Sequence, residues 1–227
     1  MLKAVIFDFD GVIADSEPLH FAAFNMALES CGVNISREKY YADYLGYSDK
    51  DCVSVINKEY SLGLAPAEQQ RLIDRKGVYF DDLAIKKSSI IDGAEQFIAM
   101  LKQNNIRMAI CSGALLDEIE LMLKSSSFAD VFESIVAADH VENGKPDPEG
   151  YLLALSNLNA VSDDKIAPSE CIVVEDSHWG LEAAGKAKMN RVAVTNTYSA
   201  DQLDSSAEII VNSLADISLD DLKMICQ

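Results

Sequence analysis

The pattern of apolar and polar positions changes character twice along the chain. Residues 4–7, Ala-Val-Ile-Phe, form a continuous apolar run closed by Asp-Phe-Asp-Gly, the pattern of a short buried strand ending in a turn. From residue 15 to 89 the periodicity is helical. Asp15 and Ser16 are helix N-cap types, Glu17 and Pro18 suit a first turn, and Leu19, Phe21, Ala22, Phe24, Ala27 and Leu28 recur at helical spacing. Further helices are predicted at 36–44, 48–59, 66–75 and 77–85, broken at Gly46, Gly63, Pro66 and Gly77, with no strand among them. From residue 90 helices and strands alternate, with helices at 94–104, 115–124, 148–158 and 179–188 and strands at 107–111, 134–138, 171–174, 191–195 and 208–211. Strands separated by helices of this length imply βαβ units. The predicted fold class is therefore α/β, a mostly parallel sheet core from residues 1–14 and 90–227 with an all-helical domain, 15–89, inserted after the first strand.

Candidate chemistry sits where strands end. In an open parallel sheet, ligands bind beyond the carboxyl ends of the strands, near the point where strand order reverses. Four polar groups fall at such positions: Asp8 and Asp10 after the first strand, Ser112-Gly113 after the 107–111 strand, Lys145 within Gly144-Lys145-Pro146-Asp147-Pro148, and Glu175-Asp176 after the 171–174 strand. Each has a plainer alternative: a solvated Asp-Gly turn, a simple strand-to-helix turn, a loop lysine, and a cap for the helix that follows, a role that Asp and Ser177 often fill. Two carboxylates spaced i, i+2 can reach one small volume once the chain curls, and Gly11 allows the tight turn that aims amide N–H groups at an anion.

The charge balance narrows the partners. Against 19 Lys and Arg stand 37 Asp and Glu, a net charge of −18, which repels nucleic acid and anionic lipid and makes any site for an anionic substrate a local exception. The five cysteines (Cys31, Cys52, Cys111, Cys171 and Cys226) are scattered, without a C-x-x-C pair, as free thiols of a reducing compartment are. Asp8 and Asp10 come too early for the apolar region of a signal peptide, and no apolar run approaches the roughly 18 residues of a membrane helix. The expectation is a soluble cytoplasmic monomer with neither nucleic-acid nor membrane partners.

The order D-x-D-G-V, a serine at a strand end, K-P-D-P and E-D-S resembles the haloacid dehalogenase-like hydrolase superfamily, and the helical insert after the first motif resembles its β-phosphoglucomutase-like branch. The likeness spans essentially the whole chain. It implies a Rossmann-like core with a helical cap, and a Mg2+-dependent phosphoryl transfer through an aspartyl-phosphate. In that scheme Asp8 is the nucleophile and a Mg2+ ligand. Asp10 protonates the leaving oxygen and later activates water, its carbonyl binding the metal. Ser112 holds a phosphoryl oxygen with the N–H groups of Phe9, Asp10 and Gly113, and Lys145 offsets the charge of Asp8 and the phosphoryl group. Asp176 is a direct metal ligand, and Glu175 is either a ligand or an outer partner. The residue types suit this chemistry: a carboxylate attacking a phosphate dianion needs a hard cation and a lysine, and Mg2+ takes oxygen ligands.

The cap sequence bears on substrate. Relatives of the β-phosphoglucomutase type carry a loop resembling K-G-V-S-R-E-D whose arginine meets the second phosphate of a bisphosphorylated sugar; the matching segment here, residues 45–51, has Asp49 at that place and Lys50 beside it. Arg and Lys are not interchangeable for bidentate phosphate binding. His20 stands where related proteins have a histidine near the hinge, as a donor to the leaving oxygen or Asp10, or as a half-buried packing residue. Tyr47, Ser48 and Lys50 are the remaining candidates for substrate contact. The resulting expectation is a phosphatase of a small phosphorylated metabolite, a sugar or polyol monophosphate, with a β-phosphoglucomutase-type mutase as the alternative. Dehalogenation is disfavoured, since halide departure needs neither Asp10 nor a metal-binding acid pair. A non-catalytic binding protein is disfavoured because no motif has lost its acid or nucleophile.

Overall fold

The helical periodicity after residue 15 becomes four helices in the computed structural model, which describes residues 1–45, 47–87, 90–124, 126–203 and 206–226. The predicted break at Gly46 lies outside the described residues. Helix α1 spans Glu17–Leu28, α2 Arg37–Asp43, α3 Asp49–Glu59 and α4 Pro66–Lys87. Ser36 and Ser48 accept N-cap hydrogen bonds from Lys39 N and Asp51 N. Ser16 occupies the N-cap place of α1 with helical dihedrals and no capping bond from its side chain.

Two predicted helices, 66–75 and 77–85, are one helix of 22 residues. Gly77 costs an interior helix about 1 kcal/mol relative to alanine. The stripe Leu72, Lys76, Phe80 and Ala84, all buried at i, i+4 spacing, outweighs it by packing along one face. Phe24, Ala27, Leu28, Tyr40, Tyr44, Val53 and Ile56 join Leu72 in the hydrophobic centre of this unit, Ser16–Ser88.

The second unit, Met1–Asp15 with Ser89–Gln227, is built on a six-stranded sheet. Its strands are β1 (Ala4–Phe7), β2 (Arg107–Cys111), β3 (Ser134–Val136), β4 (Cys171–Glu175), β5 (Asn190–Val194) and β6 (Ile209–Val211), every neighbouring pair parallel, in the order β3-β2-β1-β4-β5-β6. Strands β1 and β4 are buried along their whole length, as central strands covered on both faces are. The connecting helices are α5 (Ala94–Gln103), α6 (Leu116–Leu123), α7 (Glu149–Ala160) and α8 (His178–Lys186), with two short helices, α9 (Ala200–Leu203) and α10 (Leu219–Ile225), absent from the sequence reading. The signal for α10 is present in the chain: Ser218 and Asp221 form a reciprocal capping box.

Side-chain alternation decides which helices cover which face. Ala4 and Ile6 pack with Cys111, Val173, Tyr151, Leu155 and Ala184, so one face is closed by α7 and α8. Phe7, of the opposite parity, meets Phe97 of α5 and Phe132 edge-on, with ring centres 5.9 Å apart in both cases. From β1 the chain builds outward through β2 and β3, then returns to place β4 on the other side of β1. The strand order therefore reverses between β1 and β4, which opens a crevice at their carboxyl ends. Among the described residues no helix is long and apolar enough to cross a membrane, and all five cysteines are free.

Candidate active site

Six of the predicted residues meet at that crevice. Asp8 extends the β1 ladder by one bond, its amide donating to Val174 O at 2.9 Å. The chain then curls: Gly11 N donates to Ala14 O, and the amides of Ile13 and Ala14 both reach Phe9 O. Gly11 has φ +76, and a Cβ there would stand 1.8 Å from Asp176 Oδ2, so both the turn and the neighbouring carboxylate require glycine. Phe9 is buried between the two aspartates. Ser112 Oγ, just past β2, donates to Asp10 Oδ2 at 3.3 Å and accepts from Ala114 N; Gly113 follows, with open space where a Cβ would stand.

Lys145 ties the two sides of the crevice together. Its Nζ lies 2.6 Å from Asp8 Oδ1 and 2.6 Å from Glu175 Oε1. Glu175 is fully buried, and five donors reach its oxygens: Lys145 and the Tyr151 hydroxyl at Oε1, and Asp176 N, Ser177 N and Ser177 Oγ at Oε2. Its carboxyl group rests on Gly180, where a Cβ would overlap it. Ser177 also caps α8 through Gly180 N, and His178 is the first residue of that helix.

One lysine faces four carboxylates, and the proton affinities record the imbalance. Burial pushes Asp8 well above the ordinary carboxylate range despite Lys145, with Glu175, Asp176 and Asp10 adding to the shift. Burial and Glu175 push Asp176 up to about 7. Burial works against Lys145, but Asp8 and Glu175 outweigh it and hold the ammonium well above its usual value. Glu175 is held low: burial opposes its charge, and Lys145 with the hydrogen bonds overcomes it. Asp8, Glu175 and Asp176 each offer an oxygen within 4.8 Å of one another. A buried all-oxygen donor set with excess negative charge fits a hard divalent cation such as Mg2+.

The helical unit holds a fully buried lysine that the sequence reading missed. Lys76 Nζ is 2.7 Å from His20 Nδ1 and 2.9 Å from Asp49 Oδ2, and lies over the rings of Phe24 and Phe80. An ammonium only donates, so Nδ1 accepts and the neutral imidazole carries its proton on Nε2. Burial and Lys76 hold His20 well below the usual histidine value, and its ring stacks on Phe80 at 4.3 Å. Ser48 is engaged as the α3 cap, with Asp51 accepting from its hydroxyl, while Tyr47 and Lys50 are exposed. Asp49, the acid at the arginine place, is thus charge-matched.

Tyr151, Asn196 and Thr197 were also missed. Tyr151 reads in sequence as one position of the apolar stripe of α7, and only its hydroxyl, 2.7 Å from Glu175, serves the site. Thr197 Oγ1 donates to Asp176 Oδ2 at 2.5 Å, and Asn196 Nδ2 to Gly11 O at 2.7 Å. The signal for both was their place in a polar loop beyond the carboxyl end of β5, next to β4.

Comparison with known proteins is consistent with this geometry. A model of haloacid dehalogenase-like hydrolases matches residues 5–194. A phosphorylated carbohydrates phosphatase of Thermotoga maritima is 31% identical over 84% of this chain and 84% of its own length. A β-phosphoglucomutase of Bacillus subtilis is 27% identical over 96% of this chain and 93% of its own. The crystal structure of CbbY from Rhodobacter sphaeroides in complex with phosphate superposes with a TM-score of 0.85 at 26% identity, covering 98% of this chain and all of that one.

Proposed function

Because the chain belongs to the haloacid dehalogenase-like hydrolases, in their β-phosphoglucomutase-like branch, we propose that it is a Mg2+-dependent phosphatase of a small phosphorylated metabolite, a sugar or polyol monophosphate, acting through an aspartyl-phosphate on Asp8. The observation that carries the reading is the Lys145 ammonium held between Asp8 and Glu175 with Asp176 beside them. Phosphoryl transfer asks a protein chiefly for positioning and charge neutralisation. Lys145 fixes one oxygen of Asp8 and offsets its charge as phosphorus approaches. A carboxylate oxygen of Asp8 forms the new bond to phosphorus, the ester bond breaks, and Asp10 gives its proton to the departing alkoxide. Asp10, now a carboxylate, takes a proton from water, which attacks phosphorus and frees phosphate and Asp8. Ser112 and the amides of Phe9, Asp10 and Gly113 hold the phosphoryl oxygens meanwhile.

Mg2+, held by Asp8, Asp176 and the Asp10 carbonyl, would supply neutralisation of the transferring group. Glu175, its oxygens already engaged by five donors, acts as the outer partner that orients Lys145. In this reading the helical unit is the cap: the Nε2–H of His20 is the donor toward the leaving oxygen, and Tyr47, Ser48 and Lys50 meet the rest of the substrate. Asp49, paired with Lys76, puts a carboxylate at the arginine place where a second phosphate would need a cation, which supports a monophosphate substrate and hydrolysis over mutase chemistry.

The deciding experiment is phosphate release from a panel of phosphorylated metabolites with Mg2+ and with EDTA, including β-glucose 1-phosphate. Metal-dependent release from one or a few sugar or polyol monophosphates is expected. Silence across the panel, with glucose 6-phosphate formed when a bisphosphate primer is added, overturns the phosphatase in favour of the mutase.

A further inference from the structure

The loop after β5 is pinned at five consecutive residues. Thr195 N donates to Val211 O, and Thr195 Oγ1 to Asn212 Oδ1. Asn196 reaches the Gly11 carbonyl and Thr197 reaches Asp176. Tyr198 packs on His178 with ring centres 4.8 Å apart and on Trp179 at 6.3 Å, and Ser199 closes the loop through Gln202 Oε1. A loop that only connected a strand to a short helix would leave such groups to water. Here its two central side chains reach back to the two segments that form the acidic crevice, Gly11 of the first turn and Asp176 beyond β4.

The geometry at Asp176 is tight. Its Oδ2 receives the Thr197 hydroxyl at 2.5 Å and is packed so closely on Gly11 that a Cβ there would lie 1.8 Å from it. With one lone pair of Oδ2 taken by the threonine hydroxyl and its flank against Gly11, Asp176 presents its other oxygen to a cation more readily than both oxygens together. Mg2+ accepts single carboxylate oxygens in a strict octahedron, whereas Ca2+ takes six to eight ligands and readily chelates a carboxylate with both oxygens.

We propose that Thr197 is a positioning residue which locks Asp176 into one-oxygen coordination, so that the 195–199 loop sets both the Mg2+ affinity of the site and its preference for Mg2+ over Ca2+; this rests on the proposed Mg2+ site. Asn196 serves the same end from the other side by fixing the Gly11 turn that Asp176 leans on. Outer partners of metal ligands typically govern affinity by about 10–100-fold.

The test is calorimetric titration of the metal-stripped full-length protein with MgCl2 and, separately, CaCl2, for the unsubstituted protein, Thr197→Val and Thr197→Ser. Thr197→Val is nearly isosteric and removes only the donor; Thr197→Ser restores it. The expected result is about tenfold weaker Mg2+ binding in Thr197→Val with Ca2+ binding kept, so that the Mg2+/Ca2+ ratio falls, and recovery of the ratio in Thr197→Ser. Unchanged Mg2+ and Ca2+ affinities in Thr197→Val overturn the proposal. So does an equal loss for both ions, or a loss shared by Thr197→Ser, because either assigns the effect to folding. Absence of Mg2+ binding by the unsubstituted protein overturns the proposed function as well as this one.

Discussion

Among the described residues, Lys145 in the sheet unit is largely buried and Lys76 in the helical unit fully so, and they are stabilised in different ways. Lys145 in the sheet unit lies at 2.6 Å from two carboxylates that are themselves largely or fully buried. Lys76 in the helical unit is fully buried and pairs with Asp49, whose side chain is 31% exposed, beside a neutral imidazole and two aromatic faces. The first is a cation that its anionic neighbours need. The second is a cation that its own surroundings tolerate, through its pair with Asp49 and ring quadrupoles. Replacing each by methionine, which keeps length and removes charge, separates the two cases.

At the sheet unit the effect is the largest. Lys145→Met leaves Asp8 and Glu175 buried without their shared counter-charge, a loss on the order of 3 kcal/mol in the metal-free protein, tempered because Asp8 takes a proton readily. Turnover falls with it. Asp8→Asn separates chemistry from folding: phosphate release drops by a factor on the order of 10^4 or more while the thermal midpoint holds or rises, since an amide relieves the crowding of carboxylates. Thermal unfolding beside a phosphate assay checks both, and appreciable turnover by Asp8→Asn would remove the nucleophile assignment. Next in size is Tyr151→Phe, which deletes one hydrogen bond to the charged Glu175, worth about 1.5–3 kcal/mol. It loosens Lys145 indirectly, so kcat is expected to fall more than KM rises.

The contrast between the lysines also explains how much of the molecule its sequence disclosed. Asp8, Lys145 and Asp176 stand at or beyond strand ends in motifs of fixed spacing, and the parallel topology brings strand ends together whatever the intervening helices do. That part is local pattern plus one topological rule. Lys76 belongs to no such motif. It interrupts an apolar stripe in α4, and its partners are 56 and 27 residues away, so only the folded helical unit reveals that the charge is inward. Gly77, its neighbour, was read as a helix break for the same reason: the cost of glycine is local and visible, while the packing that outweighs it is not. Tyr151 lies in an apolar stripe and Thr197 in a loop, yet each contributes a hydroxyl whose target lies at another strand end.

Lys76→Met should cost little, within about 1 kcal/mol, because methionine fills the apolar stripe and Asp49, the partner left behind, is partly exposed and keeps its access to water. Its mark is on His20. The folded imidazole is held well below its ordinary value by burial and by Lys76, so it stays neutral where the unfolded one takes a proton, below about pH 6.5. That contribution to stability is therefore present above about pH 6.5 and is lost as pH falls toward the folded value. Without the ammonium His20 titrates nearer its usual range and the acid-sensitive window narrows. Imidazole NMR across pH checks this; an unmoved His20 in Lys76→Met would mean that burial alone sets its protonation.

The smallest effect on stability, and the sharpest on the comparison, is expected from Asp49→Asn. It removes the negative charge that lies 2.9 Å from Lys76 while keeping shape and a hydrogen-bond acceptor, so the fold should shift by only a few tenths of a kcal/mol, as a partly exposed pair allows. The change lies in what the helical unit offers to an anion. With asparagine in its place, the lysine loses that carboxylate and has an amide there instead, beside the imidazole and the aromatic rings. If the cap reading holds, a sugar bisphosphate should become a better ligand of Asp49→Asn than of the unsubstituted enzyme, by a factor that shrinks as salt is raised, while kcat/KM for a monophosphate changes little. Competitive inhibition constants for a bisphosphate and its monophosphate, measured side by side at two ionic strengths, give the ratio. An unchanged ratio would mean that Lys76 is matched to its own unit for folding alone, and that the two buried lysines divide cleanly into one for chemistry and one for structure.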